Sequence, residues 1–347
     1  MPSVSTRVLW IDAARAFAVL AVLLMHYQAY VGAPANPNPE GLERVWPWIV
    51  TQLQPVRMPL LLFMSGLLAS SRLLSDDKSA AAARGISSFY LNAMWTTIYF
   101  VVSLFLTTPS PGEIETVGEW ASQLVTPGPN LWFVWALGFW AIAFIFLRPL
   151  PPVLVLTLFA ATGVVGDLIR SSLPSRLVPV LIYGIFFALG VYGKQYLLEF
   201  LKTQVVTKLV VLTITHAAIH RLAQVEGLDR VLRSLIVDLR SVAAIALFAS
   251  LFVILVRWPP LGRFLAAIGQ RTLPLFVCHL PLLWIVLNVS ALRDALTLPH
   301  LELIWPLMGL TYLAGGSLAV HWVTRKIGAR HMFDVPQVLL PRSARKK

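Results

Sequence analysis

Charged residues are scarce in this sequence. Asp, Glu, Lys and Arg make up 13% of the 347 residues, whereas hydrophobic residues make up 57%. A soluble domain is typically about 25% charged and about 45–50% apolar. A soluble fold of this length cannot bury that much apolar surface, but a lipid bilayer accepts it. The composition therefore predicts one transmembrane domain over 1–347 rather than two soluble domains.

Cysteine is nearly absent as well. The single residue, Cys278, excludes an intrachain disulfide. No cluster of Cys and His has the spacing of metal ligands, so we predict no metal site and no bound cofactor.

Acidic residues are few, 16 against 28 Lys and Arg, and the formal net charge is +12. The basic residues lie in short segments between apolar runs, so membrane topology explains them better than nucleic acid does, and lipids are the expected surroundings.

Long apolar runs are what the sequence does contain. A spanning helix needs about 20 mainly apolar residues. Ten segments qualify: 9–30, 46–70, 87–107, 131–147, 151–169, 177–193, 205–222, 238–256, 272–292 and 302–323. They predict an all-α polytopic protein with about ten transmembrane helices in one bundle. Most Lys and Arg, including a basic tail over 324–347, fall on the side of both termini, so the positive-inside rule predicts cytoplasmic termini.

The first predicted span carries three ionisable residues, Asp12, Arg15 and His26. Such residues are costly inside a membrane and normally face the bundle interior. Because an α-helix turns about 100° per residue, all three lie on one stripe, with Arg15 and His26 about 16 Å apart along the axis. Asp12 and Arg15 are spaced to pair on the helix. In the alternative, Arg15 reaches the interface beside Asp12, and His26 is a hydrogen-bonded packing residue.

Three more residues in predicted spans are candidates for a site. Arg57 falls near the middle of 46–70, where it could contact Asp12, a substrate group or an oxyanion, or form a buried structural ion pair. His279 is either a satisfied core histidine or a second catalytic or substrate contact. Trp132 is either an aromatic of the membrane interface or a surface on which a sugar stacks.

Five segments occur in the order of the motifs of a known family. They are Trp10–Arg15 with His26 ten residues beyond Arg15, Arg57–Gly66 (RMPLLLFMSG), Leu131–Leu137 (LWFVWAL), Tyr183–Gly190 (YGIFFALG) and Gly269–Pro281. On these segments the chain resembles the membrane acyltransferase 3 family, the O-acyltransferases that modify bacterial surface glycans and some antibiotics. Two features depart from the family pattern. Its paired arginines before the third span are reduced to Arg84, and Thr272 and Phe276-Val277 replace a serine and a tyrosine of the late motif.

The resemblance implies a membrane-bound O-acyltransferase of the bacterial cell membrane. It would move an acyl group, commonly acetyl, from a cytoplasmic acyl-CoA to a hydroxyl of a glycan, glycolipid or related acceptor, as in polysaccharide modification. His26 would be the general base, because an alcohol is a poor nucleophile at neutral pH and the ordinary pKa of imidazole is about 6.5. Arg15 would bind the phosphates of the donor or stabilise the developing charge.

Positions in or near the predicted spans suggest weaker roles for other residues. Substrate contacts would come from Asp12, Arg57, Trp132 and His279. Arg84, Arg72 and Arg271 lie near the predicted cytoplasmic face, where they would help to hold the nucleotide of the donor or would only reflect positive-inside charge.

A transporter or flippase for a lipid-linked or small substrate is the alternative, since intramembrane His and Arg also suit proton relays. Against it, the sequence shows no internal repeat, which many transporters have. A scaffolding membrane protein would leave the aligned stripe unexplained. The acceptor, the acyl chain and the oligomeric state stay open at this point.

Overall fold

The structure, a computed structural model, describes residues 6–344, with side chains from residue 9 onward. Every regular element in this range is helical, which confirms the all-α class. The final three residues of the predicted basic tail lie outside the described residues. The α-helices are α1 (Thr6–Tyr27), α2 (Ala33–Ala35), α3 (Val45–Gln52), α4 (Gln54–Leu73), α5 (Lys78–Ser103), α6 (Val117–Val125), α7 (Trp132–Leu147), α8 (Pro152–Leu168), α9 (Val178–Phe200), α10 (Val205–Ala223), α11 (Arg230–Leu255), α12 (Pro259–Gly269), α13 (Thr272–Asn288), α14 (Ser290–Leu296) and α15 (Trp305–Lys326).

Five helical segments within residues 6–344 are long and apolar enough to cross a membrane: Leu9–Ala35, Gln54–Leu73, Val178–Phe200, Val205–Ala223 and Arg230–Leu255. Helices α12 and α13, which meet at a bend of 66°, make a sixth if they count as one broken span. Helices α7 and α8 are apolar but shorter. A membrane protein follows from these helices, whereas ten crossings and cytoplasmic termini remain predictions.

The segment predicted as 46–70 is not one helix. Helix α3 ends at Gln52, Leu53 lies between, and α4 begins at Gln54. Pro55 lacks an amide hydrogen and therefore favours a helix start at this point. The placement of Arg57 in the middle of a span is consequently wrong, because Arg57 lies in the first turn of α4.

Helix α11 begins earlier than the predicted 238–256. The Asp229 side chain accepts a hydrogen bond from the Val231 amide at 2.8 Å, which caps the helix and adds more than two turns to it. The predicted loop 108–130 also contains a helix, α6, which the Thr116 hydroxyl caps by accepting from the Glu119 amide at 3.1 Å. Polar capping residues therefore extend helices beyond their apolar runs.

The chain divides into two compact units. The first unit contains the chain up to Ala18, Gln54–Lys78 and Ala143–Gln270. The second contains Val19–Leu53, Ser79–Ile142 and the chain from Arg271 onward. Helices α1 and α7 each contribute residues to both units.

In the first unit, α4 and α9 approach each other at two glycines. A Cβ on Gly66 would lie 2.1 Å from the Phe187 carbonyl oxygen, and a Cβ on Gly190 would lie 2.1 Å from the Phe63 carbonyl oxygen. The Ser70 hydroxyl donates to the Val191 carbonyl at 2.6 Å beside this crossing. Small residues at a helix crossing let the two backbones meet, which is how helices associate in lipid. The PLLLFMSG and YGIFFALG motifs therefore form one packing interface.

In the second unit, α1 packs against α15 at Tyr27. A Cβ on Gly309 would lie 2.1 Å from the Tyr27 ring, and the Tyr27 hydroxyl donates to the Leu296 carbonyl at 2.9 Å. In the same unit, the Tyr99 hydroxyl of α5 donates to the Val277 carbonyl of α13, also at 2.9 Å. These buried hydrogen bonds fix the residues of α1 and α13 that lie next to the predicted histidines.

The glycine crossing of α4 and α9 can be tested within α9 itself. Gly190→Ala should lower the free energy of unfolding by about 2 kcal/mol, because overpacking typically costs 1–3 kcal/mol and here a backbone must move. Gly193→Ala is the matched control, since its Cβ would meet only the Phe63 ring at 3.8 Å. Thermal unfolding in detergent measures both. Equal midpoints for the two variants would contradict the close crossing.

Candidate active site

Two histidines meet in the second unit. His26 Nδ1 lies 2.8 Å from His279 Nε2, and the two ring planes are within 15° of parallel. His26 comes from the last turn of α1 and is half-buried, whereas His279 of α13 is 0% exposed. His279 Nδ1 lies 2.7 Å from the Phe276 carbonyl oxygen and 3.2 Å from that of Leu275. The structure thus joins two residues that the sequence places far apart.

Aromatic rings flank this histidine pair. The Tyr30 ring stacks near His26, with centroids 5.9 Å apart and an interplanar angle of 12°. On the other side, the Phe276 ring lies 5.9 Å from His279 and 4.9 Å from the ring of Phe133. Trp132, the half-buried first residue of α7, meets Phe133 edge to face at 6.3 Å. Trp132 therefore belongs to the same row of rings as the two histidines.

A π-helical turn, Gln28–Gly32, follows Tyr27, the residue after His26. It leads without a break into α2, so the chain remains helical past the predicted end of the first span at residue 30. Single π-turns inside α-helices are rare and are frequent at functional sites. Tyr30 lies within this turn, and its ring stacks near that of His26.

Asp12 and Arg15 form a separate polar group in the first unit. Asp12 is 6% exposed, and its Oδ1 lies 3.5 Å from Nη1 of the half-buried Arg15. The Gln270 side chain donates to Asp12 Oδ2 at 3.2 Å. A Cβ on Gly269 would lie 1.9 Å from the Asp12 carbonyl oxygen, so the chain at Gly269-Gln270 packs directly on α1. Both carboxylate oxygens of Asp12 thus have partners within the first unit, Arg15 and Gln270.

The remaining predicted site residues are distributed over both units. In the first unit, Arg57 is half-buried within electrostatic reach of Tyr183 on α9, and Arg72 is exposed in the last turn of α4. In the second unit, Arg84 is half-buried on α5, and Arg271 is exposed just before α13. The substrate and donor roles of these four residues remain predictions.

Sequence reasoning missed Gln270 and Tyr30. Gln270 belongs to the late Gly269-Gln270-Arg271 motif. Only the structure shows that its side chain hydrogen-bonds to Asp12 of α1. Tyr30 follows His26 at helical i, i+4 spacing, which is a signal for ring contact that could have been used. Nothing local in the sequence indicates that His26 and His279 touch.

Residues 8–324 match the model of a protein family described as an acyltransferase domain, Acyltransferase 3. The match covers nearly the whole chain and includes Arg15, His26 and His279. No curated protein and no solved structure matches the chain.

The contribution of the buried Asp12–Arg15 ion pair to stability can be tested against a more exposed ion pair of the same geometry. Asp12→Ala should lower the free energy of unfolding by roughly 1–3 kcal/mol, because it removes a buried carboxylate that accepts from Gln270 and pairs with the half-buried Arg15 guanidinium. Asp167–Arg170 has the same i, i+3 spacing and the same 3.5 Å separation, but its side chains are 31% and 62% exposed. Asp167→Ala should therefore cost well under about 1 kcal/mol. Thermal unfolding in detergent compares them, and an equal loss would contradict the structural role of Asp12.

Proposed function

Since the chain belongs to the acyltransferase 3 family, we propose that it transfers an acyl group from acyl-CoA to a hydroxyl of a glycan, glycolipid or related acceptor. The family indicates an acyltransferase, and the apolar helices indicate a membrane protein. An acetyl group and a bacterial cell membrane are the proposed acyl chain and location. The observation that carries the proposal is the pairing of half-buried His26 with fully buried His279.

In the proposed reaction, His26 is the general base. The acceptor hydroxyl attacks the thioester carbonyl carbon while His26 removes its proton, so that a C–O bond forms as the O–H bond breaks. The tetrahedral intermediate collapses with cleavage of the C–S bond. The thiolate of CoA leaves and takes the proton back from the imidazolium, which returns His26 to its starting form. Imidazole is the side chain whose ordinary pKa lies closest to neutral pH, which suits it to both steps.

Arg15 is the proposed charge-stabilising residue. Its guanidinium is half-buried and held by Asp12, and a positioned cation lowers the energy of an oxyanion or a phosphate most where water is excluded. Asp12 then acts by orienting Arg15. Arg72, Arg84 and Arg271 are proposed to attract the nucleotide of the donor, and Arg57 and Trp132 to contact the acceptor.

Activity of a His26 variant tests the proposal. His26→Ala should lower transfer from radiolabelled acetyl-CoA to a hydroxylated acceptor by roughly 10²–10⁴-fold, the usual contribution of a general base. The matched control is His300→Asn, because His300 is exposed and its φ of +66° is one that Asn tolerates. His300→Asn should unfold at the wild-type temperature, whereas His26→Ala, which removes the hydrogen-bond partner of the buried His279, should unfold at a lower one, so activity is compared well below both midpoints.

The same assay separates the enzyme from a transporter or flippase. Detergent-solubilised protein has no second compartment, so an acylated product formed in detergent requires catalysis. Wild-type protein that moves substrate only in sealed vesicles and forms no acylated product would overturn the proposed function. Full activity of His26→Ala would overturn the role of His26 alone.

A further inference from the structure

The first unit contains a cavity of about 750 Å³ that lies apart from the paired histidines of the second unit. Its walls come from the start of α1, the end of α9 and the end of α11, and all three segments belong to the first unit. Small-molecule sites in proteins are typically about 300–1,000 Å³ in volume. The cavity is therefore large enough to hold a ligand.

Hydrogen-bond donors without partners line this cavity. Trp10 is 4% exposed, and its indole N–H has no acceptor among the residues that the structure describes. A buried Trp N–H usually has one, and this nitrogen can only donate. Within the same range of the chain, the Gln195 amide and the Arg257 guanidinium also have no partner. The lining thus offers donors to an acceptor that the protein does not provide.

The charge of the lining favours an anionic acceptor. Among the described lining residues, Glu199 is the only acidic one, and its Oε1 lies 2.5 Å from Nζ of Lys202. Arg257 adds a positive charge that no carboxylate in residues 6–344 neutralises. Phosphate oxygens accept short, charge-assisted hydrogen bonds from a guanidinium. A phosphate group therefore matches the polar part of the cavity.

The other part of the cavity is apolar and lies at the level of the membrane surface. Leu198, Val253 and Val256 supply its hydrocarbon lining. Both α9 and α11 are long and apolar enough to cross a membrane, so their last turns lie at its interface with water. Tyr196 and Trp258, at the same helix ends, are 80% and 63% exposed. Exposed Tyr and Trp are typical of the headgroup region of a bilayer.

We propose that this cavity binds an anionic phospholipid. The lipid phosphate accepts hydrogen bonds from Trp10, Gln195 and Arg257, and the acyl chains lie against the aliphatic lining. A nucleotide also carries phosphates, but the aliphatic lining and the interfacial position favour a lipid, whose headgroup lies at this depth. The unneutralised charge of Arg257 selects a lipid with net negative charge over a zwitterionic one, which carries its own cation.

A lipid in the cavity would connect parts of the first unit that also meet at Asp12. Trp10 lies two residues before Asp12 on α1, and Arg257 lies two residues before the start of α12. Gln270, which donates to Asp12, directly follows α12. The cavity and this hydrogen bond therefore join α1 to the same segment of the chain. Bound lipid should stabilise the folded protein, because a ligand that binds only the folded state shifts the equilibrium towards it.

Titration of the delipidated full chain with defined lipids tests the proposal. Protein in detergent receives phosphatidylglycerol or phosphatidylcholine with the same acyl chains, at constant ionic strength. Native mass spectrometry counts the bound lipid, and thermal unfolding gives the midpoint. Phosphatidylglycerol should bind saturably and raise the midpoint, whereas phosphatidylcholine should do so much less. Equal binding and equal midpoints for the two lipids would overturn the proposal.

Variants assign the binding to this cavity. Arg257→Gln should weaken phosphatidylglycerol binding by about fivefold, the usual contribution of one basic residue beside anionic lipid. Gln195→Met keeps the side-chain length but removes the amide. It should weaken binding and leave the lipid-free midpoint unchanged, because Gln195 has no partner in the described chain. Arg263→Gln is the matched control, since Arg263 is exposed on α12 outside the cavity and should not affect binding.

Full phosphatidylglycerol binding by Arg257→Gln would contradict the site. If that variant does not fold, Val253→Phe takes its place, because it fills the apolar part of the cavity while Arg257 remains. It should abolish the rise in the midpoint, and an unchanged rise would contradict the site equally.

Competition identifies the source of the phosphate. Neither coenzyme A nor inorganic phosphate should displace phosphatidylglycerol. Displacement by coenzyme A would make the cavity a nucleotide site, and displacement by inorganic phosphate a free-anion site, so either result would overturn the lipid assignment. These measurements involve no acyl transfer, so their failure leaves the proposed role of His26 intact.

Discussion

The hydrogen bond between His26 and His279 is the constraint on which the second unit depends. Two imidazoles in an apolar interior cannot both be left without partners, since each unpaired polar group costs several kcal/mol in lipid. Their pairing ties α1 to α13, and the adjacent Tyr27 ties α1 to α15 through Gly309 and Leu296. Packing and hydrogen bonding therefore fix the His26 ring within the second unit.

The family motifs divide between packing and chemistry. Gly66 and Gly190 allow α4 and α9 to meet backbone to backbone, and Gly269 does the same for the chain that faces Asp12. Only a few motif residues keep a polar group accessible, and half-buried His26 is one of them. A motif residue can thus serve the site by bringing helices together, with no contact to substrate, because lipid supplies no hydrophobic force to do so.

Composition and hydropathy are enough to predict the all-α membrane class, since no soluble fold accommodates so few charges. They also place α7 and α8 within a few residues, as 131–147 and 151–169, because Pro149 and Pro151 interrupt an otherwise apolar run. The break at Leu53 escaped prediction because the apolar residues on either side of Gln52, Leu53 and Gln54 were joined into one run. The early start of α11 escaped because Arg230, Arg233 and Ser234 interrupt the apolar run of its first turns, which begin at the Asp229 cap.

The candidate site was predicted residue by residue but not as an arrangement. His26, His279 and Trp132 stand out in sequence because polar and amphipathic side chains are conspicuous in apolar runs. Their association depends on contacts between distant segments, which have no local periodicity. The π-turn after His26 is equally invisible, since it changes backbone spacing without changing composition.

Chemical rescue is the most direct test of His26 as a base. His26→Gly, which removes the ring, is assayed for acyl transfer with added imidazole and with methylimidazoles of different basicity. General base catalysis predicts that the rate rises with imidazole concentration, saturates, and increases with the basicity of the added base. Substantial activity of His26→Gly without imidazole, or a folded variant that no imidazole restores, would contradict the account.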